Sequence, residues 1–262
     1  YFAAGHIKHA QSLGDTFAYH LSVQQRLPSR FERPILFAHR GAKAHSAENT
    51  LESFELAVRL GATGLETDVW LSKDGEVVCD HDGVVNKRLR RIPINRFNRH
   101  DLSSSIPSLE ELFERCGRDI NYSIDVCDEL SIDQIHELVS QGGTDFAKKV
   151  WICSPKYSSL CKWHDKYPNL QLVNSIRLSK ISEGPERRCA NLAKHGIVAL
   201  NMHYTDWNGG LVALAHRFGL AAFSWDIQHI ELMSDAFRMG VDAVYSDWTD
   251  RMVDAYRTEF SD

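Results

Sequence analysis

Between Leu36 and Gly83 the sequence crowds titratable side chains against apolar runs: His39 with Arg40, then Glu66 with Asp68, then His81 with Asp82. Residues two apart in an extended segment point to one face, so Glu66 and Asp68 stand together while Leu65, Thr67 and Val69 take the other. Carboxylates held side by side away from water repel, and one takes up a proton unless a cation supplies opposite charge. The plain alternative turns both outward to pair with surface bases; the apolar set on the alternate face argues against it, because that set belongs against a helix layer. Asp125, in the run SIDV, offers a third carboxylate at the end of a later apolar segment. Three oxygen donors suit a hard cation, Mg²⁺ or Ca²⁺, better than zinc, which prefers nitrogen and sulfur. Beside such an ion His39 and His81 can divide the roles of base and acid, since imidazole titrates near neutral pH, and the rigid fork of Arg40 suits phosphate oxygens. The chemistry implied is a metal site flanked by a proton-transfer pair and built for an anionic substrate.

Strands must aim those groups. From residue 35 onward, short apolar runs alternate with amphipathic stretches: ILFAH (35–39), GLETDVWL (64–71), NYSIDV (121–126), KVWIC (149–153), LQLVNS (170–175), IVALNM (197–202), LAAFSW (220–225) and DAVYSD (242–247). Helices are expected to begin near Thr50, Ser108, Ser131, Pro155, Pro185, Asp206, Gln228 and Thr249, several of them residues suited to a first turn. The run EVVCDH (76–81), after a KDG turn, reads as a hairpin partner of the second strand. Eight strand–helix units predict a closed (β/α)₈ TIM barrel, one domain over 35–262, in preference to an open doubly wound sheet. Residues 1–34 include the amphipathic HAQSLGDTFAYHLSVQQRL and are expected to form a helical segment packing on the barrel. In such barrels the chemistry sits at the C-terminal ends of the strands, which is where His39 and Asp125 fall.

A chain of 262 residues with 43% hydrophobic and 25% charged residues suits one large globular domain. Six Cys, at 79, 116, 127, 153, 161 and 189, are scattered without a C-x-x-C pair; this disfavours a zinc module, favours reduced thiols over a disulfide framework and makes a cytoplasmic setting the expectation. A net charge of −5 argues against a nucleic-acid partner. The basic run NKRLRRIPINRFNRH (86–100) is the exception and reads as a solvated loop, with Phe97 its only aromatic. No apolar run approaches the roughly 18 residues of a membrane span, and no signal-peptide pattern opens the chain. The long 83–107 segment directly follows His81 and can serve as a lid or be a bystander. The oligomeric state is not readable.

The blocks AHRG, ENT, GATGLETDVWLSKDGEVVCDHD, IPSLEEL (106–112), FSWDI and GVDAVYSD occur in an order that resembles the glycerophosphodiester phosphodiesterase family over about residues 35–250. The resemblance implies a (β/α)₈ barrel that uses a divalent cation to hydrolyse glycerophosphodiesters, small-molecule substrates, to glycerol 3-phosphate and an alcohol. It implies that His39 and His81 are the acid–base pair, that Glu66, Asp68 and Asp125 ligate the metal, and that Arg40 meets the phosphate. In that family a glycerol hydroxyl attacks phosphorus first, giving a cyclic phosphate that water then opens. Trp225 matches an aromatic that walls the family's pocket, with plain barrel packing as the alternative role; Asn201 and His203, at the end of the sixth strand, are read either as local hydrogen-bonding groups or as substrate contacts. Three positions depart from the family pattern. Ala47 replaces a Pro, Asp125 replaces the more frequent Glu, and Cys127 stands where a Lys meets phosphate. Lys156, just beyond the fourth strand, and Lys87 and Arg88 of the basic run are candidates to supply the missing cation. Two further readings stay open: a lysophospholipase D- or sphingomyelinase D-like enzyme acting on larger lipids, and a catalytically impaired barrel that binds a phosphate ligand.

Overall fold

The computed structural model describes residues 26–87 and 90–260. Its strands are β1 (Ile35–His39), β2 (Gly64–Leu71), β3 (Val77–Cys79), β4 (Val84–Lys87), β5 (Arg90–Pro93), β6 (Asn121–Val126), β7 (Val150–Ser154), β8 (Gln171–Ser175), β9 (Ala199–His203), β10 (Ala221–Trp225) and β11 (Ala243–Ser246). Strands β1, β2 and β6 to β11 pair in parallel and close on themselves, β1 lying between β2 and β11. This is the (β/α)₈ barrel that the alternation predicts, with strand ends shifted by a residue or two. Strand β3 runs antiparallel to β2, pairing Val69 with Cys79, so the KDG turn makes the expected hairpin.

The period-two pattern divides the barrel into two cores. Leu65, Val69 and Ile124 face outward and pack with Phe54, Leu109 and Leu112 of the helix layer. Phe37, Trp151, Phe223 and Tyr245 fill the interior, Phe37 stacking on Tyr245 at 4.7 Å and Trp151 meeting Phe223 edge-on at 5.1 Å. Room for Phe37 comes from Gly64 on the neighbouring strand, where a Cβ would lie 2.4 Å from the ring. Gly64→Ala is therefore expected to overpack the interior and lower stability by about 1–3 kcal/mol, measured as a lower urea midpoint; an unchanged midpoint would show that the ring has space to move.

At the base of the interior, Phe31 packs 5.8 Å from Trp151 and 6.4 Å from Phe223. It is anchored where Ser29 Oγ and Arg30 N donate to Asp242 Oδ1 at 2.7 and 2.6 Å. The helical segment expected over residues 1–34 lies, for 1–25, outside the described residues; residues 26–34 run as turns and extended chain, as Pro28 and Pro34 favour.

The 83–107 segment is more ordered than its sequence reads. Strands β4 and β5 form a hairpin, 3₁₀ turns follow at Ile94–Arg96 and Arg99–Asp101, and Val78, Ile94 and Leu102 form a small separate core with Trp70, Val85, Phe97 and Ile106. Among the described residues no helix is long and apolar enough to cross a membrane.

Candidate active site

At the end of β1 the chain turns left-handed through Arg40 (φ 54°) and Gly41 (φ 80°). Glycine is required at 41, because a Cβ there would lie 2.6 Å from Ser53 Oγ and 2.8 Å from the Ser53 carbonyl carbon. The ENT block closes onto this turn. Asn49 N donates to Arg40 O at 3.0 Å, Thr67 Oγ1 donates to Asn49 Oδ1 at 2.8 Å, and Thr50 caps helix α1 (Leu51–Leu60) by accepting from Ser53 N at 3.2 Å. The two separated sequence blocks thus make one rigid corner that aims Arg40, whose Nη1 lies 3.2 Å from both carboxylate oxygens of Glu48.

Glu66 and Asp68 point inward from β2, and Asp125 points inward from β6 as the register partner of Asp68. One ligand oxygen from each lies within 4.8 Å of the others, the only such group of three or more metal-ligating side chains among the described residues. Glu66 and Asp68 are only 3% and 7% exposed, so their charges are poorly hydrated. Burial first, then the neighbouring Asp68 and Asp125, hold the Glu66 carboxyl well above the usual range; burial and then Asp68 push Asp125 up to about 7. Arg40 offers partial relief. Its backbone N donates to Glu66 Oε2 at 2.8 Å, and its Nε lies 3.1 Å from Asp68 Oδ2, close enough for an ion pair but not aligned as a hydrogen bond. Asp68 Oδ2 is therefore buried with no hydrogen-bond partner. A guanidinium already shared with Glu48 leaves three carboxylates under-neutralised, and a hard divalent cation fits both the oxygen donor set and that orphaned atom.

His39 Nδ1 lies 2.5 Å from Asp247 Oδ1, just past the end of β11, and its Nε2 lies 3.8 Å from Glu66 Oε2. Burial acts to raise the Asp247 carboxyl, but the His39 hydrogen bond and the charges of His39 and Lys43 outweigh it and hold the group below its ordinary value. An ionised carboxylate only accepts, so His39 donates from Nδ1 and leaves Nε2 on the cavity side. Asp247 was not singled out from sequence, although it ends the segment read as the eighth strand; barrel closure, which sets β11 against β1, was the available signal. His81 follows β3, and its Nδ1 lies 2.9 Å from Asp82 Oδ1, while Asp82 Oδ2 accepts from Arg91 at 2.9 Å.

These groups share one cavity of about 460 Å³, lined by His39, Arg40, Glu66, Asp68, His81 and Asp125 together with Ser175, Asn201, Trp225, Asp226 and Tyr245. A larger cavity of about 540 Å³ beside Leu27, Leu232 and Met239 gathers no such cluster. Tyr245 Oη and Ser123 Oγ, 3.0 Å apart, form part of the floor beneath the carboxylates. The Trp225 ring meets His203 edge-on at 4.6 Å, and its Nε1 is buried without a partner. Asn201 Nδ2 donates to Ser175 Oγ at 3.2 Å while its Oδ1 is left unpaired. His203 lies off the cavity lining, its Nε2 3.0 Å from Asp226.

Lys156 is not brought to this cavity: its Nζ donates to Glu129 Oε1 at 2.7 Å, and it is not among the lining residues. Lys87 sits 4.5 Å over the Phe97 ring, also away from the lining, and Arg88 lies outside the described residues. Cys127 follows β6 and, like the two lysines, is not among the lining residues; the residue is exposed, but partial desolvation of its thiol and then Asp68, Asp125 and Glu66 push it up to about 12, so it is neutral at working pH. Among the lining residues Arg40 is the only Lys or Arg.

The family model for the glycerophosphoryl diester phosphodiesterase family matches residues 39–251. A glycerophosphodiester phosphodiesterase of Bacillus altitudinis is 26% identical over 238 residues, covering 83% of this chain and 96% of that protein. The crystal structure of a glycerophosphodiester phosphodiesterase from Thermotoga maritima superposes with a TM-score of 0.73 at 25% identity, covering 86% of this chain and 99% of the other. An Oleispira antarctica phosphodiesterase, solved in complex with the product sn-glycerol-3-phosphate, superposes with a TM-score of 0.74 at 22% identity, covering 85% and 96%. With the match running from the His39 corner through the last strand of the barrel, the chain belongs to the glycerophosphoryl diester phosphodiesterase family, a family of phosphodiester-hydrolysing enzymes.

Proposed function

We propose that the protein hydrolyses glycerophosphodiesters to glycerol 3-phosphate and an alcohol, using a bound divalent cation and His39 and His81 as the proton-transfer pair. The observation that carries this reading is the convergence of three under-neutralised carboxylates, two of them buried, and both imidazoles on one cavity. The sn-glycerol-3-phosphate in the Oleispira antarctica barrel supports the same substrate class. Glu66, Asp68 and Asp125 would hold Mg²⁺ or Ca²⁺, and such an ion supplies opposite charge to the phosphoryl oxygens.

His39 acts as base. With its Nδ1 proton committed to Asp247, Nε2 takes the proton of the glycerol hydroxyl as that oxygen bonds to phosphorus, and Asp247 stabilises the imidazolium that forms. His81 protonates the departing alkoxide as its bond to phosphorus breaks, so the alcohol leaves neutral. Water then opens the cyclic phosphate with the imidazoles exchanging roles. Arg40, fixed by Glu48, is the phosphate-facing cation, and Trp225 walls the pocket. Apart from Trp225 and Tyr245 the lining is polar or charged, which favours a water-soluble headgroup diester over a lipid-tailed substrate. Six cysteines without a disulfide fit a reducing compartment.

The test is direct. Purified protein with Mg²⁺ or Ca²⁺ should release glycerol 3-phosphate from glycerophosphocholine; no release from any glycerophosphodiester or lysophospholipid would overturn the reading. The missing cation at position 127 gives a second expectation. Cys127→Lys should raise kcat/KM on glycerophosphocholine about 10- to 100-fold, the worth of one charge-assisted hydrogen bond to phosphate. Unchanged steady-state kinetics would mean that Arg40 meets the phosphate unaided.

A further inference from the structure

The hairpin of β4 and β5 carries charge that the barrel does not use. Residues 83–107 hold six Lys and Arg (Lys87, Arg88, Arg90, Arg91, Arg96 and Arg99) against the single Asp101, in a chain whose net charge is −5. Lys87 and Arg90 are register partners at the end of the ribbon, and both are exposed. Like charges directly opposite one another destabilise a hairpin. Two of the bases near this ribbon have acids: Arg91 pairs with Asp82 and Arg99 with Glu111. Lys87 has only the Phe97 ring beneath it, and among the described residues neither Lys87 nor Arg90 makes an ion pair. The sequence joining these two partners is Arg88-Leu89, so one apolar residue sits in a run of bases.

The base of this ribbon is held firmly beside the cavity. Gly83 (φ 64°) lies against Trp70, where a Cβ would come within 2.4 Å of the indole, and Ile94 N donates to Gly83 O at 2.9 Å. Asp82 links Arg91 of the ribbon to His81 of the cavity wall.

We propose that the β4–β5 hairpin is a docking surface for anionic phospholipid headgroups, holding the cavity mouth against a membrane surface. The unpaired, like-charged partners gain from a lipid surface the counter-charge that no carboxylate among the described residues supplies, and long, exposed basic side chains suit an anionic interface. A nucleic-acid partner is disfavoured because the one aromatic of the segment, Phe97, is partly buried and covered by Lys87 instead of being free to stack.

The experiment is vesicle co-sedimentation of the full chain, without substrate, on phosphatidylcholine alone and on phosphatidylcholine mixed with phosphatidylserine. Binding is expected to the anionic vesicles only and to weaken as salt rises. The double variant Lys87→Gln, Arg90→Gln should bind about 30-fold more weakly, about fivefold for each base removed, whereas Lys87→Arg, Arg90→Lys, which keeps the charge, should bind like the parent. The proposal is overturned by no binding to anionic vesicles, by equal binding to neutral ones, by an unweakened Gln variant, or by tighter binding to a single-stranded oligonucleotide than to vesicles. Because no turnover is measured, failure here is separate from failure of the hydrolytic reading.

Discussion

Replacing His39 by Gln is expected to lower kcat on glycerophosphocholine by about 10²- to 10⁴-fold while cation binding, followed by calorimetry, stays intact. The side chain does two things that Gln cannot do: its Nε2 accepts a proton, and the imidazolium so formed is stabilised through Nδ1 by the Asp247 carboxylate 2.5 Å away. Asp247→Asn separates these roles. It leaves the imidazole in place but removes the charge that stabilises the imidazolium and fixes which nitrogen carries the proton. A loss of at least tenfold, in kcat more than in KM, is therefore expected, with the thermal midpoint little changed. An Asp247→Asn enzyme with full kcat would reduce Asp247 to a packing group at the end of the last strand.

The second large effect concerns the carboxylate triad, where function and stability pull in opposite directions. Chelation, or Asp68→Ala, is expected to abolish release of glycerol 3-phosphate, and excess Mg²⁺ or Ca²⁺ should restore the chelated parent but not the variant. The cation-free protein should also show an inverted pH dependence. Burial and mutual repulsion raise the Glu66 and Asp125 carboxyls, so the folded state binds protons more tightly than the unfolded chain. A group raised in this way contributes stability that is fully present below its unfolded value and lost as pH rises through its folded one. For Asp125 that window runs from 3.8 to about 7. The thermal midpoint of chelated protein should accordingly fall as pH is raised across this range. With cation in excess the trend should reverse, because the ion binds the ionised carboxylates; at about 100 times its Kd it adds roughly 2.7 kcal/mol. Asp125→Asn should stabilise the cation-free protein at neutral pH and abolish hydrolysis. If chelated protein is instead more stable at neutral than at acidic pH, the three acids are not crowded in the way described.

Much of this arrangement was legible because strand facing is a local property. The run GLETDVWL alternates strongly enough that Leu65 and Val69 must meet the helices, which sends Glu66 and Asp68 into the barrel. The same reasoning put Asp125 on the matching face of its strand, and strand pairing then set it beside Asp68. The β4–β5 hairpin was missed because its run, NKRLRR, has no apolar alternation; it is held by backbone pairing and by a small core assembled from Trp70, Val78, Val85 and Ile94. Lys156 shows the converse. It does stand just beyond a strand end, but Glu129, in the 3₁₀ turn Glu129–Ser131 that follows β6, holds its ammonium away from the cavity.

By itself, then, the sequence determined the eight strand–helix units, which face of each strand is buried, and which acids and imidazoles stand at the strand ends, since all of these follow from spacing within a few residues. Only the tertiary structure decided the partners. Asp247 orients His39 from 208 positions away because the last strand closes against the first, Arg40 is clamped between Glu48 and Asp68, and among the described residues no second Lys or Arg lines the cavity. The physical reason is that facing depends on the backbone period, whereas partnership depends on register and barrel closure, which bring distant segments together.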